Sequence, residues 1–106
     1  LNSLVTLLGR RGIRASVRRP LTVTDIQTEI SAGRPVVMLC VYKHIVPSDV
    51  FDGGHYVTCV GFSDRSMIVH DPYKGGAGYR VPLDRFALAI SDLGAVGMPN
   101  QGIVLS

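Results

Sequence analysis

Two short segments of the 106-residue chain carry side chains suited to proton transfer: Gly53-Gly54-His55-Tyr56 and His70-Asp71-Pro72. Each lies at the end of an apolar, β-branched run, so each reads as the end of a strand. A histidine after two glycines leaves room for another backbone to approach. An aspartate at the end of the neighbouring strand can accept the proton on one ring nitrogen, which sets the tautomer and leaves the other nitrogen to act as a base. Together they would form the base and orienter of a nucleophilic triad. The alternative is two polar residues at strand ends with local hydrogen bonds.

The choice depends on register. Residues of an antiparallel hairpin face each other when their numbers add to a constant. His55 opposite Asp71 needs a sum of 126, with a wide turn over Gly61–Arg65 centred on Ser63. A tight turn at Asp64-Arg65 gives 129 and turns Asp71 to the other face of the sheet, away from His55.

Other reactive side chains are less well placed. Cys40 and Cys59 sit inside apolar runs, MLCVY and YVTCVG, where no helix N-terminus lowers a thiol pKa. Cys59 shares a face with His55 but lies four residues along the strand, about 13 Å away. Cys40 is a candidate neighbour of Cys59 across the strand pair. Both read as buried core thiols. His44, His55 and His70 have no metal-ligand spacing, and His70 falls on the face opposite Asp71. No metal and no cofactor is therefore expected. Gly75-Gly76-Ala77-Gly78 lacks the Lys-Ser/Thr of a phosphate loop and reads as a flexible turn. Tyr42, Tyr56, Tyr73 and Tyr79 are scattered. Tyr73 follows the aspartate directly and is placed to rim a cleft, and Gly54, Tyr56 and Tyr73 are the expected substrate-binding positions.

These residues must be held by a set of helices and strands. Leu4, Leu7, Leu8 and Arg11 follow a helical period over Asn2–Arg11, with Gly12 as a left-handed stop. Ile13–Val17 alternates as a short strand. Thr24 and Gln27 have the spacing of a capping box for a helix that ends at Gly33. Val36–Tyr42 reads as a strand buried on both faces, Lys43–Gly54 as a polar loop that forms one wall of any cleft, and His55–Phe62 as a second core strand. Ser63–Ser66 turns the chain into Met67–Asp71. Tyr79–Val81, a helix over Leu83–Ile90 and Ile103–Leu105 complete the order α-β-α-β-β-β-β-α-β. Early helices and contiguous central strands indicate an α+β fold with an antiparallel sheet.

Composition bounds the function classes. The chain is 46% hydrophobic and 18% charged, which suits one packed domain and excludes a disordered segment. Its longest apolar run, Val36–Tyr42, is far short of the ~20 residues of a membrane-spanning helix. The net charge of +3 is uneven: Arg10, Arg11, Arg14, Arg18 and Arg19 stand without an acid in residues 1–20, while the remainder is net negative. The stretch reads as a solvated or partner-facing surface rather than a nucleic-acid site. Two thiols are too few for a disulfide framework and fit a reducing compartment.

The motifs in order resemble the papain-like cysteine peptidases, nearest to the double-glycine leader peptidases that process bacteriocins. The matching residues are Ala32-Gly33-Arg34-Pro35-Val36-Val37, Gly54-His55-Tyr56-Val57, Val60-Gly61-Phe62 and Val69-His70-Asp71-Pro72, with Gly12-Ile13-Arg14-Ala15 before and Val81–Phe86 after them. The resemblance covers nearly all of residues 1–90. It implies a papain-like fold, a peptide or protein substrate, and a Cys-His-Asp triad in which His55 and Asp71 take the last two places. The family's nucleophile is a cysteine at the start of an early helix, preceded by a glutamine of the oxyanion hole. Residues 1–39 contain no cysteine. The resemblance therefore implies that residues 1–106 are the C-terminal part of a single such domain, with its N-terminal subdomain and nucleophile roughly two dozen residues before Leu1. On that expectation the chain alone is inactive. The alternatives are a catalytically inactive module that binds a peptide or partner, and an appendage of a larger secreted or phage-like assembly.

Overall fold

The computed structural model describes residues 6, 7, 9–12, 14–18, 20–46, 54–72, 76–92 and 100–105, without the side chain of Arg18. Its elements are β1 (Ala15–Arg18), α1 (Val23–Ser31), β2 (Val36–Val41), the short helix α2 (Tyr42–Ile45), β3 (Gly54–Phe62), β4 (Ser66–Asp71), β5 (Gly76–Pro82), α3 (Leu83–Ser91) and β6 (Gly102–Leu105). Thr6, Leu7, Gly9 and Arg10 are helical, and Gly12 follows them at φ 77°. Arg11, expected in that helix, lies in the turn, and residues 2–5 and 8 lie outside the described residues.

Six strands form one antiparallel sheet in the order β1-β6-β2-β3-β4-β5. The α+β expectation holds. Strand alternation sends Val36, Met38 and Cys40 of β2, Val57 and Cys59 of β3, and Met67 and Val69 of β4 to one face, where all are buried. Ile26 of α1 and Phe86, Ala89 and Ile90 of α3 join the same apolar cluster. The other face is thinly covered: Val37, Leu39, Thr58 and Ile68 are half-buried, and Tyr56 and Phe62 are exposed. The expectation of a β2 buried on both faces is thus corrected. Its sequence is apolar throughout, but Val37 and Leu39 are only half-buried, and burial alternates from Val36 to Cys40.

Local signals explain the helix ends. The α1 capping box is Thr22 with Asp25, two residues before the expected Thr24 and Gln27. The Thr22 Oγ1 accepts from the Asp25 N–H at 3.1 Å, and the Asp25 carboxylate accepts from the Thr22 N–H at 2.9 Å. Asp25 wins because a carboxylate in the first turn also meets the positive end of the helix dipole. Thr24 instead lies inside the helix, its carbonyl accepting from the Thr28 hydroxyl. Gly33, at φ 81°, ends α1 as expected. Gly102 is needed for a different reason. A Cβ there would collide with the Met38 sulfur and meet the Val37 carbonyl oxygen at 2.9 Å, so glycine lets β6 lie against β2.

The β3–β4 hairpin turns tightly, with the Ser63 N–H donating to the Ser66 carbonyl at 2.9 Å. Phe62 faces Met67, the sum of 129 expected of a tight turn rather than the 126 of a wide one. The register then shifts between Cys59 and Gly61, where Val60 is an extra residue, and Thr58 faces His70 at a sum of 128. This bulge changes the parity of the hairpin. Past it, Asp71 returns to the face that carries Val57 and His55. The wide turn is therefore corrected, while its consequence, a shared face for the histidine and the aspartate, is reached through the bulge.

Candidate active site

The strand ends meet where β2 gives way to α2. His55, the second residue of β3, pairs with Cys40 of β2, and Gly54 pairs with Val41. Asp71 ends β4. The His55 Nε2 lies 3.0 Å from Asp71 Oδ1, so the two expected site residues come together. The Asp71 side chain has no exposure, whereas that of His55 is 23% exposed. A carboxylate acceptor identifies Nε2 as the protonated ring nitrogen, which makes Nδ1 the one suited to take a proton from a nucleophile.

A buried carboxylate needs more than one donor to keep its charge. Tyr42 supplies another: its hydroxyl donates to Asp71 Oδ2 at 2.5 Å. The Tyr42 ring also meets the imidazole edge-on, with centroids 4.6 Å apart and planes at 68°. Sequence reasoning gave Tyr42 no role and continued the strand through it. In the structure the strand stops at Val41 and Tyr42 opens α2, which swings its hydroxyl to the aspartate. The available signal was its place at the end of an apolar run, two residues past the strand partner of His55.

Short helix α2 is itself held by α3. Arg85 donates through Nε to the His44 carbonyl at 3.2 Å and through Nη2 to the Ile45 carbonyl at 3.0 Å. His44 Nε2 lies 3.0 Å from Asp92 Oδ2 at the end of α3. The expected polar loop over 43–54 thus begins as an ordered helical turn; residues 47–53 lie outside the described residues.

The two thiols are free and buried. Cys40 faces His55 across the ladder and Cys59 faces Val36, so the expectation that they neighbour each other is corrected: the register separates them by four positions. The Cys40 thiol donates to the His55 carbonyl at 3.1 Å. Burial, and then the nearby charge of Asp71, push its pKa up to about 12. Burial, followed by the effect of Cys40, pushes the Cys59 thiol up as well. Neither is a poised nucleophile.

The other expected positions separate. Gly54 opens β3 beside His55. Tyr56, expected at the substrate site, is exposed, and alternation along β3 places it on the opposite face from His55. Tyr73 lies outside the described residues. His70 is exposed on the outer face, its Nδ1 accepting from the Gly78 N–H at 3.2 Å. Among the described residues, no three His, Cys, Asp or Glu side chains are grouped to hold a metal ion, and no helix is long and apolar enough to cross a membrane.

This fold is shared with a solved protein. A crystal structure described as a C39-like peptidase from Bacillus anthracis superposes with a TM-score of 0.73 at 20% sequence identity, covering 97% of this chain and 56% of that one. The chain therefore spans little more than half the length of that relative. No curated protein matches the sequence. The model of the Peptidase_C39-like family matches residues 11–95, a stretch that includes His55, Asp71 and every strand but β6, and the chain belongs to that family.

Proposed function

We propose that this chain is the base-bearing part of a papain-like cysteine peptidase domain whose cysteine nucleophile lies on polypeptide preceding Leu1. The observation that carries the reading is the His55 Nε2 to Asp71 Oδ1 contact of 3.0 Å, made by a carboxylate with no exposure. Membership of the Peptidase_C39-like family supplies the substrate class, a peptide bond. In this reading His55 Nδ1 takes the proton of the cysteine thiol, and the thiolate attacks the scissile carbonyl carbon. The resulting imidazolium, held by Asp71, returns its proton to the leaving amine as the C–N bond breaks. Water then hydrolyses the thioester, with His55 again as base and the carboxylic acid product released. Gly54 is proposed to line the cleft wall next to the dyad.

The test is the polypeptide that naturally precedes Leu1. A glutamine followed by a cysteine at a helix start, and peptide hydrolysis that is lost in His55→Ala, support the reading. A native chain without that cysteine overturns it. The burial of both thiols in this chain favours a second reading, a peptide-binding module without catalysis. That reading predicts peptide binding by the full protein with no cleavage, and binding that survives His55→Ala.

A further inference from the structure

The dyad has a third member with no place in a Cys-His-Asp scheme. Tyr42 is wholly buried, yet it ends in a hydroxyl directed at Asp71 Oδ2, while His55 Nε2 lies against Oδ1. Its ring lies edge-on against the same imidazole. One side chain thus touches both partners of the dyad. The element that carries it is a single helical turn, and isolated turns are not stable. This one is tied to α3 by the Arg85 guanidinium on the His44 and Ile45 carbonyls and by the His44–Asp92 contact. The tyrosine is therefore presented from a braced position at the junction of β2 and α2.

We propose that Tyr42 is a positioning residue: its hydroxyl holds Asp71 Oδ2 so that Oδ1 stays in line with His55 Nε2, and Arg85 braces the turn that presents it. Its relevance to catalysis rests on the peptidase reading, but the hold on the carboxylate does not. An ionised buried carboxylate that accepts from both sides cannot rotate without losing a charge-assisted hydrogen bond. With one donor removed, that restraint falls and the Nε2–H of His55 meets water more often.

The test is the exchange of the His55 Nε2–H with water, read by proton–nitrogen NMR on protein with labelled histidine. Tyr42→Phe keeps the ring and removes the hydroxyl. It should speed exchange about tenfold, the equivalent of one lost hydrogen bond of this kind. In an Asp71→Asn background the same substitution should add nothing, because the tyrosine acts through the carboxylate. Exchange within twofold of wild type in Tyr42→Phe overturns the proposal. So does a full Tyr42→Phe effect in the Asp71→Asn background, which would show that the hydroxyl does not act through the carboxylate. If Tyr42→Phe does not fold, 3-fluorotyrosine at position 42 preserves the shape and strengthens the donor. Slower exchange than wild type then supports the hold, and unchanged exchange overturns it. None of these readouts needs hydrolysis, so an inactive full-length protein would remove the peptidase reading without touching them.

Discussion

His70 and Asp71 are consecutive residues of one strand with opposite surroundings. Asp71 is buried against Tyr42 and His55, whereas His70 is exposed on the outer face with a backbone N–H of β5 as its partner. The same contrast runs along β3, where His55 enters the dyad and Tyr56 faces outward. Alternation makes the contrast, but alternation does not decide which residue of each pair faces inward. That choice falls to the hairpin, whose tight turn alone would give the inward place to the wrong neighbour. Val60, the extra residue of the bulge, reverses the parity. One residue on the strand thus decides whether the two ends meet.

Removing that residue is the strongest way to break the contrast. Deleting Val60 should turn Met67, Val69 and Asp71 outward while His70 and Ile68 turn to the core. Burying an unpaired histidine and exposing core residues should cost about 4 kcal/mol or more, enough to abolish a cooperative urea transition. A deletion that unfolds with the wild-type midpoint would show that the hairpin adjusts its turn and that the bulge is dispensable.

Asp71→Ala tests the inner side of the contrast. It leaves the buried Tyr42 hydroxyl and the His55 Nε2 without their carboxylate. The expected loss is about 2 kcal/mol, the cost of removing the shared acceptor of these two hydrogen bonds, read as a lower urea midpoint at constant slope. On the proposed peptidase reading, the same substitution in the full protein lowers kcat and leaves substrate binding nearly unchanged, since that reading gives Asp71 no contact with substrate.

The contrast also shows what the sequence can carry. The two reactive segments were readable because glycines, a histidine and an Asp-Pro mark strand ends through their own backbone chemistry. The bulge was not: Val60 is an apolar β-branched residue within an apolar run, and nothing in its side chain distinguishes an extra residue from a paired one. Tyr42 was missed because a strand end is set by pairing partners far away in sequence. The ladder of β2 closes at Val41 opposite Gly54, and only that closure frees Tyr42 to begin a helical turn. The site's membership was local, whereas its geometry depended on register and long-range pairing.

A smaller effect follows from the thiol on the inner face. Cys40 is pushed from the usual value of 9.0 up to about 12 by burial and by Asp71. Below pH 9 the thiol is protonated in both folded and unfolded chains and contributes no pH dependence. Between pH 9 and 12 the unfolded chain releases the proton while the folded one retains it, so stability falls with rising pH, by at most about 1.4 kcal/mol per unit for one thiol. Urea unfolding at successive pH values should therefore decline less steeply for Cys40→Ala than for wild type over this window. Equal slopes would mean that the thiol ionises freely in the folded protein. At neutral pH, Cys40 should react with a disulfide reagent far more slowly in the folded than in the unfolded chain.

The smallest expected effect belongs to the outer neighbour. His70 makes one contact among the described residues that a substitution would remove, its Nδ1 accepting from the Gly78 N–H at 3.2 Å. That N–H is on the edge strand β5, where water can replace the ring. His70→Ala should shift stability by no more than about 0.5 kcal/mol, within the range of surface substitutions. On the proposed peptidase reading it leaves kcat of the full protein unchanged, because His70 projects from the opposite face to Asp71. A large loss on His70→Ala, matching that of Asp71→Ala, would place both residues in one network and erase the contrast. A small one, beside a loss of about 2 kcal/mol at the next residue, would make strand face the variable that separates a dyad member from a surface histidine.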